Sequence, residues 1–251
     1  MRILDKLIKI GKIEPKNSKD IEYSKIGLGF EKLDRGVFDP NKAYDKVARL
    51  GIKLVRIQSG WMRSERKEGV YDFSWLDEIV DNLLARGLEP WMCLCYGNPL
   101  YTELARPVFG AVGCPPISSD AEKKAWVKYV EATVDHFKGR VKLYEIWNEP
   151  DGGNGKKYPE SYINLFIRTA ELIRELDPQV KIAGMALTGS GSAKPEYATA
   201  VLSAIAEQGK THLMDYATFH PYAFNPDETI EDIKAFRALV NKYAPHVAIL
   251  Q

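Results

Sequence analysis

Cysteine is scarce, with three in 251 residues. Two of them fall in Cys93-Leu94-Cys95, so neither a disulfide framework nor the paired spacing of a structural zinc site is available. No apolar run approaches the roughly 18 residues that a membrane span needs. Asp5 and Lys6 break the apolar pattern at the N-terminus, which argues against a signal peptide and for a cytoplasmic protein. Charge of one sign is also lacking. Lys+Arg 35 against Asp+Glu 34 leaves a net +1, too weak a field to draw nucleic acid or an anionic membrane surface. Gly 19 and Pro 14 are near ordinary usage, which excludes a fibrous repeat or a long disordered tract. The chain instead has 45% hydrophobic and 11% aromatic residues, enough to bury the core of one large domain.

From about residue 26, short β-rich runs alternate with longer amphipathic stretches. The predicted strands are Ile26 to Phe30, Ile52 to Gln58, Glu89 to Cys95, Val141 to Trp147, Val180 to Leu187, Tyr216 to His220 and Val247 to Gln251. Several are nearly continuous apolar runs, as in a parallel sheet covered on both faces. Between them, Asp39-Pro40 starts one helix and Ser74 opens another. Ser119 with Glu122 forms a capping-box pattern, and Pro159 begins a helix that stops at Asp177-Pro178. Pro195 to Gln208 and Thr229 to Tyr243 supply two more. Strand, helix, strand in repetition means right-handed crossovers and an α/β fold.

Two architectures fit that order. A doubly wound nucleotide-binding sheet needs a third glycine after Gly27-Leu28-Gly29, and Phe30-Glu31-Lys32 follows instead. A (β/α)₈ (TIM) barrel places its chemistry at the C-terminal ends of many strands. Glu31, Arg56, Tyr96 to Asn98, Asn148-Glu149, His220 and Tyr222 all gather there, so the barrel is favoured. Seven strands are counted and the seventh reaches the last residue. The expectation is therefore an N-terminal extension over 1–23 and a barrel over 24–251 that lacks its eighth strand.

The strongest chemical segment is Tyr144-Glu145-Ile146-Trp147-Asn148-Glu149-Pro150-Asp151. Strand alternation would put Tyr144, Ile146 and Asn148 on one face and Glu145, Trp147 and Glu149 on the other. Apolar rings around a strand-end glutamate disfavour its charged form, the condition under which a carboxyl protonates a leaving oxygen. The bland alternative is that Glu149 caps the next loop or pairs with Lys156.

Ile146-Trp147-Asn148-Glu149-Pro150 resembles the signature ending the fourth strand of clan A glycoside hydrolases, and family 39, the β-xylosidase-like enzymes, is the nearest within that clan. Arg56 is similar to the family arginine that steadies the nucleophilic carboxylate. His220-Pro221-Tyr222 resembles the family's His-x-Tyr element at the −1 sugar site. Glu68-Gly69-Val70-Tyr71-Asp72-Phe73-Ser74 resembles the loop before the second helix. The resemblance spans roughly residues 26 to 251. It implies a retaining double displacement on β-linked oligo- or polysaccharides, with Glu149 as acid and then base, and no cofactor or metal. It further implies that Asn148 donates to the sugar 2-hydroxyl and that a nucleophilic glutamate follows the seventh strand, just after Gln251. Among the aromatics, Trp147 and Tyr222 are the better candidates for stacking on a sugar, ahead of Trp61 and Tyr96. Asn98, in Tyr96-Gly97-Asn98-Pro99, either reaches the sugar or caps its turn.

Two further segments read as rims of a cleft, the long connection Tyr101 to Ser119 and Gly152-Gly153-Asn154-Gly155. The alternative function is a carbohydrate-binding barrel that has kept its cleft and lost catalysis. A metal-dependent hydrolase is disfavoured, because His136, His212, His220 and His246 form no His-x-His pair at a strand end.

Overall fold

The structure, a computed structural model, describes residues 8, 10–107, 117, 119–152, 155, 158–188 and 195–251. Seven strands form one sheet: β1 (Leu28–Gly29), β2 (Leu54–Gln58), β3 (Glu89–Leu94), β4 (Leu143–Ile146), β5 (Lys181–Leu187), β6 (Tyr216–Phe219) and β7 (Ala248–Leu250). They lie in sequence order, each parallel to its neighbour. This is the α/β plan of a TIM barrel with seven strands in place, and an eighth is not among the described residues. The apolar runs of β3 and β5 are buried almost throughout, as a sheet covered on both faces requires. The outermost strand β1 pairs over two residues only, shorter than its β-rich sequence predicts, because an edge strand has one neighbour to pair with.

Among the described residues, seven helices connect the strands: α1 (Tyr44–Ala48), α2 (Trp61–Ser64), α3 (Ser74–Leu84), α4 (Asp120–Phe137), α5 (Pro159–Leu176), α6 (Pro195–Glu207) and α7 (Thr229–Tyr243). Their boundaries follow local chemistry. The α4 capping box is complete, with the Ser119 hydroxyl accepting from the Glu122 N–H and the Glu122 carboxylate accepting from the Ser119 N–H. Proline occupies the first turn of α5, where its missing N–H costs nothing. Between sheet and helices lies an aromatic core in which Trp61 stacks on Tyr129 at 5.4 Å and Trp126 meets Trp147 edge-on at 5.5 Å. Gly184 on β5 is required by packing, since a Cβ there would stand 2.4 Å from the Phe166 ring. No helix among the described residues is long and apolar enough to cross a membrane.

At the N-terminal ends of the strands, Asp215 ties elements together. Its carboxylate accepts from the Ile182 N–H at 2.9 Å and from Lys181 Nζ at 2.9 Å, and it pairs with Arg174 of α5. Burial pushes this carboxyl up, but the bonds from Lys181, the Ile182 N–H and Arg174 outweigh it and hold it below the usual carboxylate range. The segment ahead of the first strand is anchored nearby, where buried Ser18 donates to the Ala48 carbonyl and Lys53 Nζ reaches the Ser18 carbonyl at 2.6 Å.

Candidate active site

The polar residues collect at the C-terminal mouth of the sheet, and Arg56 at the end of β2 is the hub. Its Nε and Nη2 reach Glu145 Oε2 at 2.7 and 2.6 Å, Nη1 reaches Glu31 Oε1 at 2.5 Å, and Nη2 also donates to Asn148 Oδ1 at 2.8 Å. Burial by itself disfavours the charged guanidinium. The Glu145 carboxylate, with help from Glu31, overrides that and keeps its pKa well above the usual value. Glu145 is fully buried, and its other oxygen, Oε1, accepts from the Thr218 hydroxyl at 2.7 Å. Two buried opposite charges survive here because no buried side-chain nitrogen or oxygen of Arg56 or Glu145 is left without a hydrogen-bond partner.

Beyond Ile146 the chain leaves the strand. Trp147 and Glu149 both take positive φ, 66° and 50°, and this cancels the alternation expected from the sequence. The Trp147 ring turns outward beneath α4 and is fully buried beside Trp126, so it offers no face to a sugar, contrary to the stacking role predicted for it. Asn148 swings inward to share Arg56 with Glu145, the residue that alternation had placed opposite it. Because Arg56 occupies the Asn148 oxygen, the amide is fixed with its NH₂ as the remaining donor.

Glu149 stands at the rim with its side chain 38% exposed, and its Oε1 lies 3.0 Å from His220 Nδ1. Its backbone N–H donates to the Ala186 carbonyl at 2.9 Å, on a bulge of β5 where Met185 and Ala186 also have positive φ. His220 is held in turn by its own N–H on the Leu187 carbonyl. Asp151 clips the loop after Glu149 to the end of β5, accepting from the Thr188 N–H at 2.9 Å and the Thr188 hydroxyl at 2.7 Å. Burial pushes the Asp151 carboxyl up, against those bonds and with the nearby Glu149 charge adding to the rise.

The structure therefore brings Arg56, Asn148, Glu149 and His220 together, while Tyr222 is exposed on the loop after β6. It does not bring Asn98 to them. That amide is buried and spent on its turn, donating to the Glu65 carbonyl and accepting from the Leu100 N–H, so it stands as a cap and not as a sugar contact. Trp61 and Tyr96 are buried core rings as well. Most of the two predicted rims, including Pro115-Pro116 and Gly153-Asn154, and the proposed partner Lys156, lie outside the described residues. Glu145 and Thr218 escaped the sequence reading. The one available signal was a charged residue amid the apolar run of β4, a position where a carboxylate persists only with a buried partner. A cavity of about 570 Å³ opens at the other end of the strands, around Leu54, Leu143 and Tyr216, away from these groups.

Comparison with known proteins bears on the fold and the family. A β-xylosidase of Geobacillus stearothermophilus is 26% identical over 71% of this chain and 40% of its own length. In the solved structures, a monomeric β-xylosidase from Caulobacter crescentus superposes with a TM-score of 0.69 at 20% identity, covering 94% of this chain and 52% of that one. A xylanase from Cellvibrio japonicus gives a TM-score of 0.63 at 16% identity over 89% of this chain and 67% of its own, a likeness of fold. The chain thus spans roughly half the length of the β-xylosidases it matches. The family model for glycosyl hydrolases family 39 matches residues 38–244, and the chain belongs to that family.

Proposed function

We propose that the protein hydrolyses β-xylosides or closely related β-glycosides with retention of configuration, Glu149 serving as acid and then base. The observation that carries this reading is Glu149 itself, half-exposed at the strand mouth, with Oε1 engaged by His220 and Asn148 locked by Arg56 beside it. Oε2 has no protein partner among the described residues and is the atom assigned to the leaving oxygen. In the first step Glu149 gives its proton to that oxygen as the glycosidic bond breaks. A second carboxylate attacks the anomeric carbon, and Glu149 then takes a proton from the water that releases the sugar. Asn148, its NH₂ free, donates to the sugar 2-hydroxyl, a bond that strengthens as the ring gains positive charge. Tyr222, two residues after His220 on the loop following β6, offers an exposed ring.

Glu145 is not a candidate for the second carboxylate, being fully buried with both oxygens engaged. The proposal assigns the nucleophile to a glutamate just beyond Gln251, where β7 opens onto the same mouth. The test is hydrolysis of 4-nitrophenyl β-D-xylopyranoside by the whole protein, with the first-formed sugar anomer read by NMR. The β-anomer is expected, and Glu149→Gln is expected to lower kcat by about 10²–10⁴-fold. Unchanged turnover in that variant overturns the assignment. Xyloside binding without turnover, together with a residue other than glutamate after β7, supports instead a carbohydrate-binding barrel.

A further inference from the structure

Glu145 and Thr218 form a fully buried polar pair beneath the site that the proposed chemistry leaves unused. The Thr218 hydroxyl, at the centre of β6, lies 2.7 Å from Glu145 Oε1 and 2.9 Å from the Gly184 carbonyl, and it accepts from the Ala186 N–H at 2.9 Å. A hydroxyl has one proton to give, and the carboxylate is both the closer and the stronger acceptor, so the proton belongs to Glu145. Two chains of contact therefore start at one oxygen. In one, Thr218 fixes Glu145, which fixes Arg56, which holds the Asn148 oxygen and so leaves its NH₂ as the free donor. In the other, Thr218 holds the Ala186 N–H on the β5 bulge, whose carbonyl receives the Glu149 N–H. Non-glycine residues at positive φ on both sides of that contact, Met185 at 83°, Ala186 at 38° and Glu149 at 50°, need such an anchor to persist.

We infer that Thr218 is a positioning residue that sets together the two halves of the site, the amide of Asn148 and the backbone of Glu149, without touching substrate. The functional consequence rests on the glycosidase reading above. Removing the hydroxyl with the near-isosteric Thr218→Val keeps a β-branched residue in the strand but leaves Glu145 Oε1 and the Ala186 N–H unpaired. Arg56 and Asn148 then lose their single arrangement. Thr218→Ser keeps the oxygen and restores it.

Two measurements test this. The side-chain amide signals of Asn148, identified by their loss in Asn148→Asp, are followed by ¹⁵N NMR in the wild type, Thr218→Val and Thr218→Ser. The valine variant is expected to shift or broaden them and the serine variant to leave them in place; unmoved signals in a folded valine variant overturn the inference, whether or not any glycoside is turned over. The second measurement compares kcat/KM for an aryl β-xyloside with that for its 2-deoxy analogue. Preference for the 2-hydroxyl is expected to fall about tenfold in Thr218→Val and to recover in Thr218→Ser. An unchanged preference despite lowered stability makes Thr218 merely structural. Failure of the whole wild-type protein to hydrolyse either compound counts against the glycosidase reading and leaves the NMR result to decide the role of Thr218.

Discussion

Arg56 makes contacts from three nitrogens to Glu31, Glu145 and Asn148, and a lysine has neither the planar fork nor the number of donors to replace it. Arg56→Lys is expected to lower stability by roughly 3 kcal/mol, because it leaves a buried carboxylate short of partners, and to weaken xyloside binding with it. Urea unfolding and calorimetric titration read the two effects separately. Gly184 is constrained in a different way. Its absent side chain makes room for the Phe166 ring, so Gly184→Ala is expected to cost about 1–3 kcal/mol through overpacking, read as a lower unfolding midpoint in urea. Trp147 shows how one backbone angle changes a residue's role. A positive φ just past the strand end turns an expected sugar platform into a core side chain.

At the level of elements, α4 is held by its capping box and the sheet by ties between strand ends. Ser119→Ala removes one half of the α4 capping box and is expected to cost about 1 kcal/mol, measured by thermal or chemical unfolding. Asp215 ties α5 and β5 to the start of β6, and its carboxyl is held below the usual range. A carboxyl with a lowered folded-state pKa stabilises the fold fully above its unfolded pKa, near 4, and loses that contribution as pH falls through the lower folded value. The stability gap between wild type and Asp215→Asn is therefore expected to be constant from neutral pH to about 5 and to close below about 4. Urea midpoints taken across that range check it; a gap that widens in acid contradicts the assignment.

For the whole molecule, the parallel sheet brings residues from four strand ends to one mouth, and that convergence makes a site. The proposed retaining reaction needs a second carboxylate facing Glu149, and β7 as described ends in Leu250 with Gln251 after it. Two forms of the protein are informative here. The 251 residues by themselves are expected to turn over an aryl β-xyloside at under about 1% of the rate of the protein extended through an eighth strand, since removing an essential group costs at least 10²-fold. Equal rates in the two forms would place the nucleophile within the present chain.

The sequence by itself determined the order of elements, because apolar runs, caps and prolines act over a few residues. The Asn-Glu pair was legible as lying at the end of the fourth strand, and the structure has it two residues past that end, since β4 stops at Ile146. Only the tertiary structure decided which groups meet. Arg56 and Asn148 lie 92 positions apart, Arg56 and Glu145 89, and Thr218 and Glu145 73. Such pairs are set by strand register and by the positive-φ breaks at Trp147, Glu149, Met185 and Ala186, which no local periodicity encodes. The burial of Trp147 and the turn-capping of Asn98 have the same origin, for whether a side chain faces a cleft or the core depends on what packs beside it after the chain has closed.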